Sequence, residues 1–250
     1  MRLHCLGTVG YHPNDARHTS CYYLPESGIL LDAGTGAFRL AKLIETDTLD
    51  VLLSHAHLDH TFGLTFLLDV LFERPVKNLR IWGESDKIAA IREHLFHELI
   101  FPAPLNAEWI AIDDREEFQI GEAKIRWRPQ EHPGGSVAYR LDWASAGKRL
   151  VYATDTTGDT SDEHAQWSRE ADLLMHECYF RDSASEWAIK TGHSWTSRVA
   201  EVAKASNPKK LLLTHINPLE LSDDPVDVQA IRQRVAAEVL LARDGMAVDF

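Results

Sequence analysis

Four side chains able to bind a metal ion fall within six positions of this chain. The segment Ser54-His55-Ala56-His57-Leu58-Asp59-His60 supplies three imidazoles and a carboxylate immediately after an apolar run. Their spacing is not the i, i+4 of two histidines on one helix face. His55 and His57 are separated by one residue, so in an extended turn both rings can point the same way. Asp59 and His60 then stand at the start of a following helix and can point to a neighbouring position. Two adjacent metal sites follow from that geometry. Neutral imidazole together with carboxylate suits zinc, and also manganese or iron. A polar loop capping a helix is the alternative, but it would gather four ligand-type side chains with nothing to bind.

Such residues need elements that deliver them to one place. Four short apolar runs each end in a group that binds metal or moves protons: VLLSH at His55, LVYATD at Asp155, LLMHE at His176 and Glu177, and LLLTH at His215. In open α/β sheets, ligands collect outside the carboxyl ends of the strands. Strand-like and helix-like segments alternate from end to end, which argues an α/β layered fold. The pattern predicts strands at Leu3–Leu6, Cys21–Leu24, Gly28–Asp32, Val51–Ser54 and Leu79–Trp82. A run of strands follows over Glu108–Ile112, Glu117–Ile120, Ala123–Arg128 and Ser136–Asp142. Further strands are expected at Leu150–Ala153, Leu173–His176, Leu211–Thr214 and Ala247–Phe250. Helices are expected over Thr61–Phe72, Ser85–Leu99 with Ser85 or Asp86 as N-cap, Thr196–Ala205 and Val226–Ala242.

The motif HxHxDH resembles the hallmark of the metallo-β-lactamase superfamily. That resemblance implies an α/β (α+β) four-layer αββα sandwich of two related halves, forming a single hydrolase domain over 1–250. It also implies further ligands, each present here in order. His132, in EHPGG, would be the third histidine of the first metal, Asp155 the carboxylate bridging both ions, and His215 the last histidine of the second. Asp32, in LLDAGTG, would support the ligand turn from behind the metals. Of the other histidines, His94 and His97 lie on an amphipathic helix and read as solvated. His4, His12, His18 and His164 carry no spacing argument, although His12 and His18 follow the first strand and could border the site.

The order MHECYF, GHSW, an alanine-rich helix and LLLTH resembles the ribonuclease Z branch of that superfamily. The resemblance implies that His193 is a general acid, oriented and charged by Glu177. Trp195 stands where that branch usually has a threonine. The implied reaction is hydrolysis of a phosphodiester: two metals with a bridging hydroxide as nucleophile, Asp59 helping to orient it, and His193 protonating the departing alkoxide. Enzymes of this branch that process transfer RNA carry an inserted arm between the third histidine and the bridging aspartate. His132 and Asp155 are only 23 positions apart, too few for such an arm. Enzymes of this size that open phosphoribosyl cyclic phosphates are similar too. Some of those carry a Cys-rich zinc loop, where this chain has GTVGYHPNDARHTS.

The formal net charge of -12 opposes binding of a long polyanion over most of the surface. A small or cyclic phosphodiester is therefore the expected substrate, with extended nucleic acid unlikely. A ribonuclease Z-like RNA nuclease is the alternative, beside a lactonase, arylsulfatase, thioesterase or β-lactamase on the same scaffold, or a metal-binding scaffold without catalysis. Three widely spaced cysteines build no disulfide framework, which points to a reducing, cytoplasmic setting. No apolar run is long enough to span a membrane, and the first residues do not read as a signal peptide. Many relatives are homodimers, but no surface reads as an interface from sequence.

Overall fold

The structure, a computed structural model, describes residues 1–250. The chain forms two compact units: Met1–Glu116 with Arg243–Asp249, and Glu117–Ala242 with Phe250. The first contains a seven-stranded sheet built from β1 (Arg2–Gly7), β2 (Cys21–Leu24), β3 (Ile29–Leu31), β4 (Thr48–Leu52), β5 (Asn78–Gly83), β6 (Glu108–Ala111) and the C-terminal β14 (Ala247–Asp249). The strands run in the order β14-β1-β2-β3-β4-β5-β6. β14, β1, β2 and β3 pair antiparallel, whereas β3 through β6 pair parallel.

The second unit repeats this plan. Its sheet contains β7 (Glu117–Ile120), β8 (Ala123–Gln130), β9 (Ser136–Trp143), β10 (Lys148–Ala153), β11 (Leu173–Glu177), β12 (Lys210–Thr214) and β13 (Glu238–Leu241), in the order β13-β12-β11-β10-β9-β8-β7. β7 to β10 form an antiparallel meander and β10 to β13 are parallel. The parallel strands are largely apolar, as mostly buried strands should be, with the ion pair Asp50–Arg80 at 2.7 Å joining β4 to β5. β3 and β11 have no exposed residue. In the first unit Leu40, Leu64 and Leu67 pack on Leu49, Val51 and Ile81. In the second, Val199, Ala203 and Ile231 pack on Val151, Leu174 and Leu211. Each such side chain taken from water contributes about 1.5–3 kcal/mol.

Two mixed sheets flanked by helices give the metallo-β-lactamase fold that the motifs imply. Several local expectations are corrected. The helix expected over Thr61–Phe72 begins earlier, at Leu58, and passes through a 3₁₀ segment, Phe62–Phe66, before Leu67–Glu73. Glu84, not Ser85 or Asp86, occupies the N-cap of the next helix, and the Ser85 amide donates to Asp113 at 2.8 Å. That helical stretch ends at Leu95 rather than Leu99. The helix expected over Val226–Ala242 is only Val228–Arg232, and Glu238–Leu241 is an edge strand in register with Lys210–Leu213. The pattern does not announce the helices Thr35–Leu43, Asp162–Ser168 and Ser185–Thr191. No helix is long and apolar enough to cross a membrane.

Candidate metal centre

In the first unit, the ends of β3 and β4 build the ligand turn. Asp32 follows β3 with φ of 54°, a left-handed conformation uncommon outside glycine and asparagine. That kink aims its buried carboxylate across the strand ends. Asp32 accepts hydrogen bonds from the Ser54 amide and hydroxyl, each at 2.7 Å, and from His60 Nδ1 at 2.7 Å. One carboxylate thereby fastens the beginning of the 54–60 turn to its end. The Ser54 hydroxyl proton is committed to Asp32, so Ser54 Oγ accepts from His55 Nδ1 at 3.0 Å. Both rings then carry their proton on Nδ1 and leave Nε2 as an acceptor.

The ring of His55 lies 4.5 Å from that of His57 and 4.3 Å from that of His60, centre to centre. His60 Nε2 faces Asp59 Oδ2 at 3.3 Å, and the Tyr11 amide donates to the same oxygen at 2.7 Å. Backbone bonds sew the turn to the strand end: Ala33 N to His60 O and Gly63 N to Ala33 O, both 2.8 Å. The approach is so close that a Cβ on Gly63 would sit 2.0 Å from the Gly34 carbonyl oxygen.

In the second unit, Asp155 follows β10 and His215 follows β12, with φ of 51° and 50°. Asp155 is to β10 what Asp32 is to β3: a kinked aspartate at the strand where meander gives way to parallel sheet. Its carboxylate is shared. Oδ2 lies 3.4 Å from His132 Nε2, and Oδ1 lies 3.1 Å from His215 Nε2. His132 Nδ1 donates to the Gly192 carbonyl at 2.9 Å. Burial pushes the His132 imidazole below its ordinary pKa, although the Asp155 carboxylate opposes this. With Nδ1 engaged by the Gly192 carbonyl, Nε2 is the ring nitrogen directed at Asp155.

This arrangement tests whether a metal fits. An imidazole Nε2 faces a carboxylate oxygen at His132–Asp155, and again at His60–Asp59. A cation placed between such a nitrogen and oxygen would be held by both. The donor chemistry, imidazole plus carboxylate, suits a divalent ion. In each case a protein group on Nδ1 fixes the tautomer, as it does for metal-binding histidines. These His and Asp residues are positioned to bind metal.

Beside them, Glu177 at the end of β11 is fully buried and accepts from the Thr156 amide at 2.5 Å and the Ser194 amide at 3.3 Å. Its two oxygens both lie 3.2 Å from His193 Nδ1. The His193 ring stacks on Tyr179, with centroids 4.5 Å apart and planes 13° apart, and lies 5.4 Å from the His215 ring. Glu177, His193 and His215 offer ligand atoms within 4.8 Å of one another. Trp195 does not disturb this pair. It caps the helix Thr196–Ser206 and lies under the Arg198 guanidinium.

The sequence pattern misses Ser54, the Gly192 carbonyl, Tyr179 and the Tyr11 amide. Tyr179 alone had a signal, lying two residues beyond Glu177. His176, grouped with Glu177 at its strand end, does not join the cluster. Alternation along β11 turns it away, and its Nδ1 donates to the Glu177 carbonyl at 2.7 Å. His94 and His97 are both exposed, but only His94 lies on a helix; His97 falls in the turn beyond Leu95, where the expected helix has ended. His12 is exposed against Tyr11, and His18 rests on Phe38 with its Nδ1 3.2 Å from Thr35 Oγ1.

The model of the beta-lactamase superfamily domain matches residues 28–216, a span that contains every ligand candidate named above. A ribonuclease Z of Methanosarcina acetivorans is 35% identical over 303 residues, covering 100% of this chain and 98% of that protein. Among solved structures, the metallo-beta-lactamase fold protein YhfI from Bacillus subtilis has a TM-score of 0.78 at 23% identity, covering 99% of this chain and 98% of the other. The short form of human tRNase Z has a TM-score of 0.75 at 23% identity, covering 100% and 99%. The chain is a metal-dependent hydrolase and belongs to the metallo-β-lactamase superfamily, in its ribonuclease Z-like branch.

Proposed function

We propose that the two units work as one hydrolase domain over residues 1–250, a binuclear phosphodiesterase. His55, His57 and His132 would hold one divalent ion, Asp59, His60 and His215 the other, and Asp155 would bridge them. Zinc suits this donor set best, with manganese or iron as alternatives. The observation that carries the reading is the Asp155 carboxylate, which offers one oxygen toward His132 and the other toward His215. Neither unit supplies enough ligands for two ions alone, which supports a shared centre.

Bound there, two ions would supply Lewis acidity toward a phosphate and a nucleophile drawn from water. The chain's own residues supply the rest. Glu177 fixes the Nδ1 proton of His193 and favours its imidazolium, so Nε2 carries the proton for a departing oxygen. Stacking on Tyr179 holds the ring plane. Asp59, held by the Tyr11 amide, would also orient the nucleophile.

RNA is the substrate class that the relatives named ribonuclease Z support, and this replaces the expectation that extended nucleic acid is an unlikely partner. A second reading, a small or cyclic phosphodiester, has its own support. The stretch between His132 and Asp155 is only the hairpin β9–β10, turned over Ala144–Gly147, with no inserted arm. The three free, buried cysteines support a reducing, cytoplasmic setting.

Metal analysis with a substrate panel tests the reading. We expect about two ions per chain, turnover of bis(p-nitrophenyl) phosphate, and cleavage of an RNA carrying a 3′ extension. Loss of both ions is expected for Asp155→Ala. Turnover of only a lactone, thioester or aryl sulfate would sink the phosphodiesterase. Two ions with no ester turnover would leave a metal-binding scaffold.

A further inference from the structure

The amino ends of β10, β11 and β12, opposite the ligand-bearing ends, carry a different chemistry. A cleft of about 660 Å³ opens there, lined by five cations, Arg126, Arg140, Lys148, Arg149 and Lys209, against the acids Asp142, Glu170 and Asp172. The lining is net positive on a chain whose formal charge is -12. Lys148 begins β10 and Asp155 lies just past its other end, so this cleft lies roughly 20 Å from Asp155.

Three carboxylates hold the five cations: Glu117, outside the lining, meets Arg126 Nε at 3.2 Å, and Asp142 and Asp172 take the other four. Asp142 accepts from Arg140 Nε at 2.8 Å and Arg149 Nε at 2.7 Å, with Arg126 at 4.0 Å. Asp172 meets Lys209 at 2.8 Å and Lys148 at 3.7 Å, and also accepts from the Arg149 amide at 2.8 Å. The Trp167 and Arg169 carbonyls each fix one further guanidinium nitrogen at 2.7 Å. The lysine ammoniums each keep N–H groups beyond the one aimed at Asp172. Packing like charges in one cleft costs the folded state through self-repulsion, a cost that an anion would relieve. The only aromatic lining residue, Trp143, is 3% exposed, so no ring is free to stack on a base. Phosphate recognition without base readout is what such a surface offers.

We propose that this cleft is an exosite for the phosphate backbone of an RNA strand, engaging the substrate away from the bond that is cut. The inference rests on the phosphodiesterase reading of the metal centre. It also gives an acidic chain a place where a polyanion is drawn in.

The test is the double charge reversal Lys148→Glu with Lys209→Glu, measured against a fluorescein-labelled single-stranded RNA by anisotropy in EDTA, which stops cleavage. Losing two phosphate contacts should lower the slope of log K against log salt by about 1.4. We expect at least tenfold weaker binding, with turnover of bis(p-nitrophenyl) phosphate within twofold of the parent protein. Unchanged affinity and slope would overturn the exosite, as would a parent protein that does not bind RNA. Tripolyphosphate displacing the RNA equally well at equal charge would overturn the RNA assignment in favour of a free polyphosphate. Lys209→Gln, at a side chain 71% exposed, keeps the test decisive should the double variant fold poorly: a two- to threefold loss is expected there, and no change would overturn the exosite. RNA binding without any phosphodiester turnover would remove the proposed function and leave the exosite standing.

Discussion

Glu177 presents both carboxylate oxygens to His193 Nδ1 at 3.2 Å, from a position with no solvent exposure. The consequence is a leaving-group effect. His193→Ala should keep metal content unchanged and slow substrates with poor leaving groups by about 10²–10⁴-fold, the usual worth of a positioned acid. Substrates that release p-nitrophenolate should lose far less. A set of aryl and alkyl phosphodiesters of graded leaving-group pKa checks this. Equal losses across the series would remove the general acid. Glu177→Gln should lose less than His193→Ala and move the alkaline limb of the pH–rate profile to lower pH, because the ring remains but its charge partner does not.

Asp32 touches no proposed substrate, yet it joins Ser54 to His60. Asp32→Ala would leave a buried amide, hydroxyl and imidazole without their acceptor. Metal affinity should fall by about 10–100-fold, as when a supporting partner of a ligand is lost. Stability should fall by roughly 3 kcal/mol. Chelator competition measures the first and thermal melting the second. Parent-like affinity in a folded variant would deny Asp32 its positioning role.

Gly192 ties two parts of the site together. Its carbonyl takes the His132 proton, it precedes His193, and its φ is 77°. An added Cβ would lie 2.3 Å from Pro133 Cδ and 3.1 Å from His132 Nδ1. Gly192→Ala should therefore cost about 1–2 kcal/mol for the left-handed backbone, and move both histidines. Turnover should drop more than the loss of melting temperature accounts for. A folded variant with parent kinetics would contradict the coupling.

Much of this was legible before the fold was known, and the failures have physical causes. HxHxDH and the strand-end positions of Asp155 and His215 were readable because ligand chemistry and apolar runs are local signals. Glu177 was visible while the outward turn of His176 was not, since alternation fixes a face only once the strand has neighbours. The segment Val235–Ala242 is rich in Ala, Leu and Glu and reads as helix by propensity. Part of it is strand because β12 offers an unpaired edge that Glu238–Leu241 completes. Contacts made by main chain, such as the Tyr11 amide on Asp59 and the Gly192 carbonyl on His132, leave no trace in residue type.

Acid sensitivity should centre on His164. It is 2% exposed, packed on Trp167. Burial, with the neighbouring His176 adding to it, pushes the His164 imidazole down to about 4. The unfolded chain takes up this proton near 6.5 and the folded chain only near 4, so protons favour the unfolded state between those values. The stability that His164 permits is complete above about pH 6.5 and declines as pH falls toward 4, by on the order of 3 kcal/mol. Replacing it with a non-titrating side chain, His164→Gln, should lower stability at neutral pH but flatten the decline between pH 6.5 and 4.5. Urea midpoints across that range compare the two proteins, and parallel curves would assign the acid loss to other groups.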